Sequence, residues 1–468
     1  MLIKTLPWNE NVLSLLQRAA WKANVFLLDS SLQGIPQGRY SFFGFDPFLI
    51  IRHSGEKALE QLKEAFHRYS SPELCLGETP LPCGIVGYLS YDFGLRGQRF
   101  KQSARDDIGL PDCCFGFYDV VCTIDHLKGV IHIASSGLPE KSFSARQGRA
   151  RRRLEEFMAF LSIAPKPLHD LPLKPLEWQA NFTQEQYLRA VESALERIAC
   201  GDIYQVNLSQ RFDARLPGAD AAAYAMYAHL RAQSPSNFSA FFNGGDFQIL
   251  STSPERFLTL RDGVIETRPM KGTRPRGRTI QEDAYFKNEL LNSPKEIAEL
   301  LMVTDLERND LGKVCEFGSV RVKDMRVIEE YKHVFQASAV IEGRLARGRD
   351  AFDALGAAFP GGSITGCPKI KAMEIIDGLE PTCRGVYTGA LGYISFSGNM
   401  DFNVLIRTLL FKGDHVYLQA GGGIVADSQP QAEYDETLLK VRAIRQVVDG
   451  LFQQKLFSAD SNLADKYN

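Results

Sequence analysis

No charge of one sign dominates the sequence. Its 468 residues set 54 Lys and Arg against 56 Asp and Glu, for a formal net charge of -2 at pH 7. That balance gives no electrostatic reason to expect a nucleic acid or an anionic membrane surface as partner. No apolar run approaches the length needed to span a bilayer. The opening Met1–Trp8 stretch lacks the extended apolar region of a secretion signal, so a cytoplasmic location is the expectation. The nine cysteines are odd in number and show no CxxC pairing, which speaks against a disulfide framework or a zinc ribbon and for reduced thiols. Two segments are glycine-rich, 359–369 and 420–427, and neither fits GxxxxGK[ST] or GxGxxG, so nucleotide binding is not supported. Small molecules and proteins remain as partners.

What is present is an ordinary globular composition, 44% hydrophobic and 24% charged, in a chain long enough for a large core. Residues 1–161 read as sheet-rich. Val25–Leu28, Arg39–Gly44 and Ile85–Tyr91 are strand-like and bounded by turn residues. The basic run 149–153 continues into helical spacing and reads as a solvated face, with nucleic-acid binding the weaker alternative. Residues 162–178 form a connector broken by Pro165, Pro167, Pro172 and Pro175. Residues 179–455 carry sharper signals, and 456–468 form a polar tail. Thr183 and Gln186 predict a capped helix with Tyr187, Val191, Leu195 and Ile198 on one face. Asp262-Gly263 predicts a hairpin between Phe257–Leu260 and Val264–Thr267.

The hairpin leads into 266–277, where Lys271 lies between Pro269 and Gly272 among Arg268, Arg274 and Arg276. Lysine is nucleophilic only when neutral, and burial or nearby cations favour that form. The segment therefore reads either as a rigid loop presenting a reactive amine or as a solvated basic turn. Two helices carry carboxylates three residues apart. In one, Ser293 caps, Pro294 opens and Glu296 completes a capping box, with Glu299 one turn on. In the other, Glu433 and Glu436 precede Lys440, and Leu438, Val441, Ile444, Val448 and Leu451 bury the opposite side. Converging, these pairs would suit a hard cation such as Mg2+; otherwise they decorate a surface. The glycines of both rich segments would admit backbone N–H groups to an anion, or simply make turns.

The segments Gly201–Ser209, Ser253–Phe257, Asp305–Asp310, Phe359–Lys369, Met373–Asp377 and Gly421–Ser428, in this order, resemble the chorismate-utilising enzyme family from about Ala180 to Leu451. The resemblance implies an α+β fold in which two large, mostly antiparallel sheets pack face to face with helices outside. Lysine at 271, where anthranilate-forming relatives typically have alanine, and Gln205, where isochorismate-forming relatives have lysine, point to the branch that makes aminodeoxychorismate. That likeness implies Lys271 as nucleophile on chorismate and a protonated Glu255 as acid. It also implies Mg2+ at Glu296 and Glu436 with Glu299 and Glu433 beside them. Thr365, Tyr387, Arg407, Gly421, Gly422, Gly423 and Lys440 would hold the substrate carboxylates. No Gly-x-Cys-x-Gly elbow occurs, so ammonia would come from a glutamine amidotransferase subunit or from free ammonium. Leu28, Asp29 and Ser30 resemble the wall of a tryptophan pocket; a plain strand end is the alternative. Phe335-Gln336 stands where many relatives carry a histidine tied to pyruvate elimination, although His333 is near.

Overall fold

The computed structural model describes residues 1–468 apart from 20–21, 33–37, 76, 78, 166–175, 332–333 and 465–468. Most of the connector, with Pro167, Pro172 and Pro175, lies outside the described residues, as do His333 and the end of the tail. Residues 456–464, read as an aperiodic tail, continue the last helix, Pro430–Ala464.

Two sheets dominate the described residues, one of 12 strands and one of 10. The alternation of residues along the strands explains why they stack. In Phe26–Asp29 and Tyr40–Gly44, Phe26 and Phe42 turn inward to meet Val86, Tyr88, Tyr118 and Tyr393 of the second sheet. Their neighbours Leu27 and Phe43 turn outward, under Phe157, Met226 and Val448 of three outer helices. The far face of the second sheet, with Ile85, Phe117 and Phe402, is covered by helices carrying Phe66, Phe352 and Met373. The result is helix, sheet, sheet, helix, the α+β architecture expected.

In both sheets a block of strands from before the connector joins a block from after it. Phe26–Asp29 pairs with Phe238–Asn243, and Gly84–Leu89 pairs with Ala390–Ser395. The cores are therefore shared between the two stretches of chain. Among the described residues no helix is long and apolar enough to cross a membrane.

Local signals mostly map as expected. Thr183 and Gln186 form the capping box. Arg256–Arg261 and Val264–Thr267 pair as a hairpin, with Asp262 at φ 52 and Gly263 at φ 77, the two left-handed residues that a tight two-residue turn requires. Two details differ. Ser293 accepts a hydrogen bond from the Glu296 N–H, but the Glu296 side chain does not return one; it turns to Arg274, 3.2 Å away, because an ion pair outcompetes a neutral cap. And Lys271 lies in a strand, Met270–Pro275, at the edge of the second sheet. Prolines at 269 and 275 and a glycine at 272 imitate a loop, yet an edge strand tolerates both residue types. The register against Val334–Arg344 slips between Lys271 and Thr273, at Gly272 with φ +84. That bulge re-aims the side chains beside it.

Candidate active site

Lys271 is half-buried, and among the described residues no hydrogen bond or ion pair engages its amine. Burial pushes its pKa below the ordinary lysine value, and Lys440 adds to the effect, while Glu299, Glu255 and Glu436 oppose it. The neighbouring arginines do not supply the push that the sequence suggested. Arg268 pairs with Glu266 at 2.7 Å, Arg274 with Glu289 at 2.9 Å and Arg276 with Asp283 at 2.6 Å, so each charge is neutralised locally. Desolvation, and not cationic crowding, makes this lysine unusual.

Glu255 is buried between the strands Phe247–Ser253 and Arg256–Arg261. The Ser363 hydroxyl donates to its Oε1 at 2.5 Å. Burial raises its carboxyl to about 7, against the lowering effects of Ser363, Lys271 and the Met270 N–H. Since Met270 immediately precedes Lys271, acid and amine share one neighbourhood. A carboxyl half-protonated near neutrality can donate a proton that an exposed glutamate would already have lost.

The four glutamates, on two helices, feel one another's charge. Burial raises Glu299, and the charges of Glu296 and Glu436 raise it further; Glu433 is likewise raised by burial and by Glu436. Glu433 and Glu436 lie against Gly422, where an added Cβ would stand 3.2 and 3.4 Å from their oxygens. A Cβ on Gly272 would stand 2.7 Å from Glu296 Oε2. These glycines leave room for carboxylates beside Lys271. Three of the four already hold cations: Glu296 pairs with Arg274 at 3.2 Å, Glu436 with Lys440 at 2.7 Å and Glu299 with Lys295 at 4.0 Å. Glu433 accepts from Ser428 at 2.6 Å. No three acidic, histidine or cysteine side chains among the described residues stand close enough to hold a metal ion in this arrangement. The donor chemistry, hard oxygens with mutual repulsion, nevertheless fits Mg2+, which binds one or two carboxylates and keeps its waters.

The groups assigned to substrate carboxylates divide. The Arg407 guanidinium has no carboxylate partner among the described residues, and burial lowers its pKa. Its backbone, at φ 49, is held by the Thr252 N–H and hydroxyl at 3.1 and 3.2 Å. Such an unneutralised, half-buried cation is a ready anion receptor. The Tyr387 hydroxyl is approached by the Gly421 N–H. Thr365, by contrast, donates its hydroxyl to Gly361 O at 3.0 Å, and Lys440 donates to Gly421 O at 2.9 Å. Gly421, Gly422 and Gly423 are strand residues paired with Ser209, Leu208 and Asn207. Behind them Arg384 makes a buried pair with Glu380 at 2.6 Å and donates to Asn207 O at 2.7 Å. This brace, Ser363 and a third buried carboxyl, Glu307, were not singled out in the sequence. The only sequence signals were that Ser363 and Glu307 fall inside quoted motifs and that Glu380 and Arg384 stand one helical turn apart.

Leu28, Asp29 and Ser30 line a cavity of ≈ 780 Å³ between the sheets, with Tyr40, Phe238 and Tyr393. Their polar side chains face the protein: Arg231 and Tyr227 donate to Asp29 at 2.5 and 3.1 Å, and Ser30 donates to Tyr40 O at 2.7 Å. Arg256, the residue after Glu255, forms part of the wall.

With this fold and these groups in place, comparison with known proteins defines the class: the chain belongs to the family of chorismate binding enzymes, matched over residues 25–446. Among individual relatives it is 38% identical to anthranilate synthase component 1 of Cereibacter sphaeroides, over 94% of this chain and 93% of that protein. It is 42% identical to aminodeoxychorismate synthase component 1 of Klebsiella aerogenes, over 78% of this chain and 77% of that one. The fold matches anthranilate synthase component I of Streptococcus pneumoniae with a TM-score of 0.77 at 34% identity, covering 88% of this chain and 93% of the other.

One prediction follows from the Ser363 contact, which favours the ionised form of Glu255. In Ser363→Ala the Glu255 pKa rises, and the alkaline limb of chorismate turnover moves up by roughly one pH unit, the worth of a charge-assisted hydrogen bond. A limb that stays in place or moves to lower pH contradicts the assignment.

Proposed function

We propose that this chain is the aminating subunit of an aminodeoxychorismate synthase, converting chorismate and ammonia to 4-amino-4-deoxychorismate. The observation that carries the reading is Lys271, a desolvated amine beside an acid whose pKa is about 7. Neutral Lys271 adds to ring C2 of chorismate. The ring double bonds shift, the C4–O bond breaks, and Glu255 gives its proton to the departing hydroxyl, which leaves as water. Ammonia then adds at C4, the double bonds shift back, and the lysine nitrogen leaves C2 with the electron pair. The excess proton on the new amine returns to Glu255. The enolpyruvyl group is retained throughout. Mg2+, held by Glu296 and Glu436 with Glu299 and Glu433 beside them or acting through water, would neutralise a carboxylate of chorismate. Arg407 and Tyr387 would orient the remaining anionic groups.

Relatives called component 1 support a separate glutamine amidotransferase as the ammonia source. The product would pass to a lyase on the way to 4-aminobenzoate and folate. The second reading, an anthranilate synthase component, is favoured by the 38% identical relative. A non-catalytic tryptophan-binding regulator is disfavoured by the retained Lys271, Glu255 and glutamates. The cavity bearing Leu28, Asp29 and Ser30 has room for tryptophan, which we assign to it. Because Arg231 and Tyr227 already occupy Asp29, the amino group would rely on backbone carbonyls.

Incubation with chorismate, magnesium and ammonium should yield 4-aminobenzoate only when an aminodeoxychorismate lyase is added. Anthranilate and pyruvate without the lyase would overturn the reading. Lys271→Ala and Glu255→Gln should each lower kcat by roughly 10²-fold or more, the range for loss of a nucleophile or general acid; a normal rate in Lys271→Ala rules out the covalent route. Saturating L-tryptophan should raise the thermal midpoint, as a ligand of the native state must, and no shift removes tryptophan from the cavity.

A further inference from the structure

The face of the Pro294–Gly312 helix that carries Glu296 and Glu299 continues through Val303 to Glu307 and Asp310, spacings of three and four that keep to one side. Val303, Glu307 and Asp310 are buried. Glu307 Oε2 lies 2.8 Å from Thr267 Oγ1, and the same hydroxyl lies 2.7 Å from the carbonyl oxygen of Phe257. A hydroxyl has one hydrogen, and a carbonyl can only accept. If Thr267 donates to Phe257, its contact with Glu307 is a hydrogen bond only when the carboxyl is protonated and donates in turn. An ionised Glu307 would leave either that carbonyl or its own oxygen unsatisfied in a buried site.

The contact ties together both catalytic segments. Thr267 ends the strand Val264–Thr267, and Arg268 and Pro269 link it to Lys271 in the next strand. On the other side Gly362, next to Ser363, packs so closely that a Cβ there would stand 2.9 Å from Leu306 and 3.2 Å from Glu307. Asp310 accepts from Lys369, whose amine also donates to the carbonyls of Ala358 and Pro360 at 2.8 and 2.7 Å. One helix face thus grips the strand that leads to Lys271 and the loop that hydrogen-bonds Glu255.

We propose that Glu307 is a positioning residue: as a neutral carboxylic acid it donates a hydrogen bond to Thr267 and holds the Lys271 strand in register with the Ser363 loop. The charged and titratable groups facing it are Glu255 from the strand junction, Asp310 from its own helix, and Lys369 from the helix Lys369–Leu379. Burial, with Glu255 and Asp310, moves its carboxyl up to about 8 against the opposing effect of Lys369; a Thr267 hydroxyl donating to Glu307 would lower it, whereas accepting from it favours the neutral form. The native state therefore binds this proton more tightly than the unfolded chain does. Its contribution to stability is complete below the ordinary value of 4.5 and is lost as pH rises towards about 8.

Glu307→Gln keeps a neutral donor and cannot ionise. Its thermal midpoint should match that of the parent at about pH 5, and exceed it increasingly up to about pH 8. A difference that stays constant over that range overturns the neutral-acid assignment, whatever product the enzyme makes. Measured as chorismate consumption, which rests on the proposed function, kcat should stay within about threefold in Glu307→Gln. In Glu307→Ala it should fall at least about tenfold with KM changed less than about threefold. Unchanged kcat in Glu307→Ala, or equal losses in both variants, overturns the positioning role. If the parent itself consumes no chorismate, the proposed function fails while the stability comparison still decides the state of Glu307.

Discussion

Desolvation of two opposite ionisable groups is the constraint on which the rest of the site depends. In water Lys271 and Glu255 would both be charged and neither could serve as nucleophile or acid. Burial moves the amine down and the carboxyl up, towards the pair of neutral forms that attack and proton transfer require. Each group also pulls the other back towards its charged form. Any change that admits water favours the ion pair and so removes both functions together.

The fold maintains that exclusion with three devices. An edge strand with a bulge at Gly272 delivers Lys271, a strand junction delivers Glu255, and the Gly361–Ser363 segment brings the hydroxyl that moderates it. The Pro294–Gly312 helix packs against the Lys271 strand and the Ser363 segment and carries Glu299, one of the carboxylates that face the amine. The cavity between the sheets touches the same junction: Arg256, in its wall, pairs with Asp401 at 2.9 Å and with Glu266 at 3.3 Å, and Glu266 also pairs with Arg268. An occupant of the cavity and the Lys271 strand therefore share a chain of charge pairs.

Much of this was legible in the sequence because it depends on local rules. The Thr183 cap, the Asp262-Gly263 turn and the strand at Val25–Leu28 are set by neighbours in the chain. The family motifs extended that legibility to the two-sheet architecture. What the sequence hid depends on partners far along the chain. The arginines around Lys271 looked like an uncompensated cluster until Glu289 and Asp283 were found beside them. Glu296 read as a cap until Arg274 claimed it. Asp29 read as a pocket group, yet Arg231, some two hundred residues away, holds it. Glu307 gave no signal of its own, because the contact that makes it unusual is with Thr267 on another element.

The proposed reaction requires Lys271 to form a covalent bond to the substrate ring. Intact-mass analysis and peptide mapping of the enzyme mixed with chorismate and magnesium, without ammonia, test it most directly. The account predicts an adduct with the mass of chorismate less one water, located on Lys271 and discharged when ammonium is added. Full conversion of chorismate on adding ammonium, with no adduct detectable at any time and an equal rate in Lys271→Ala, would contradict it.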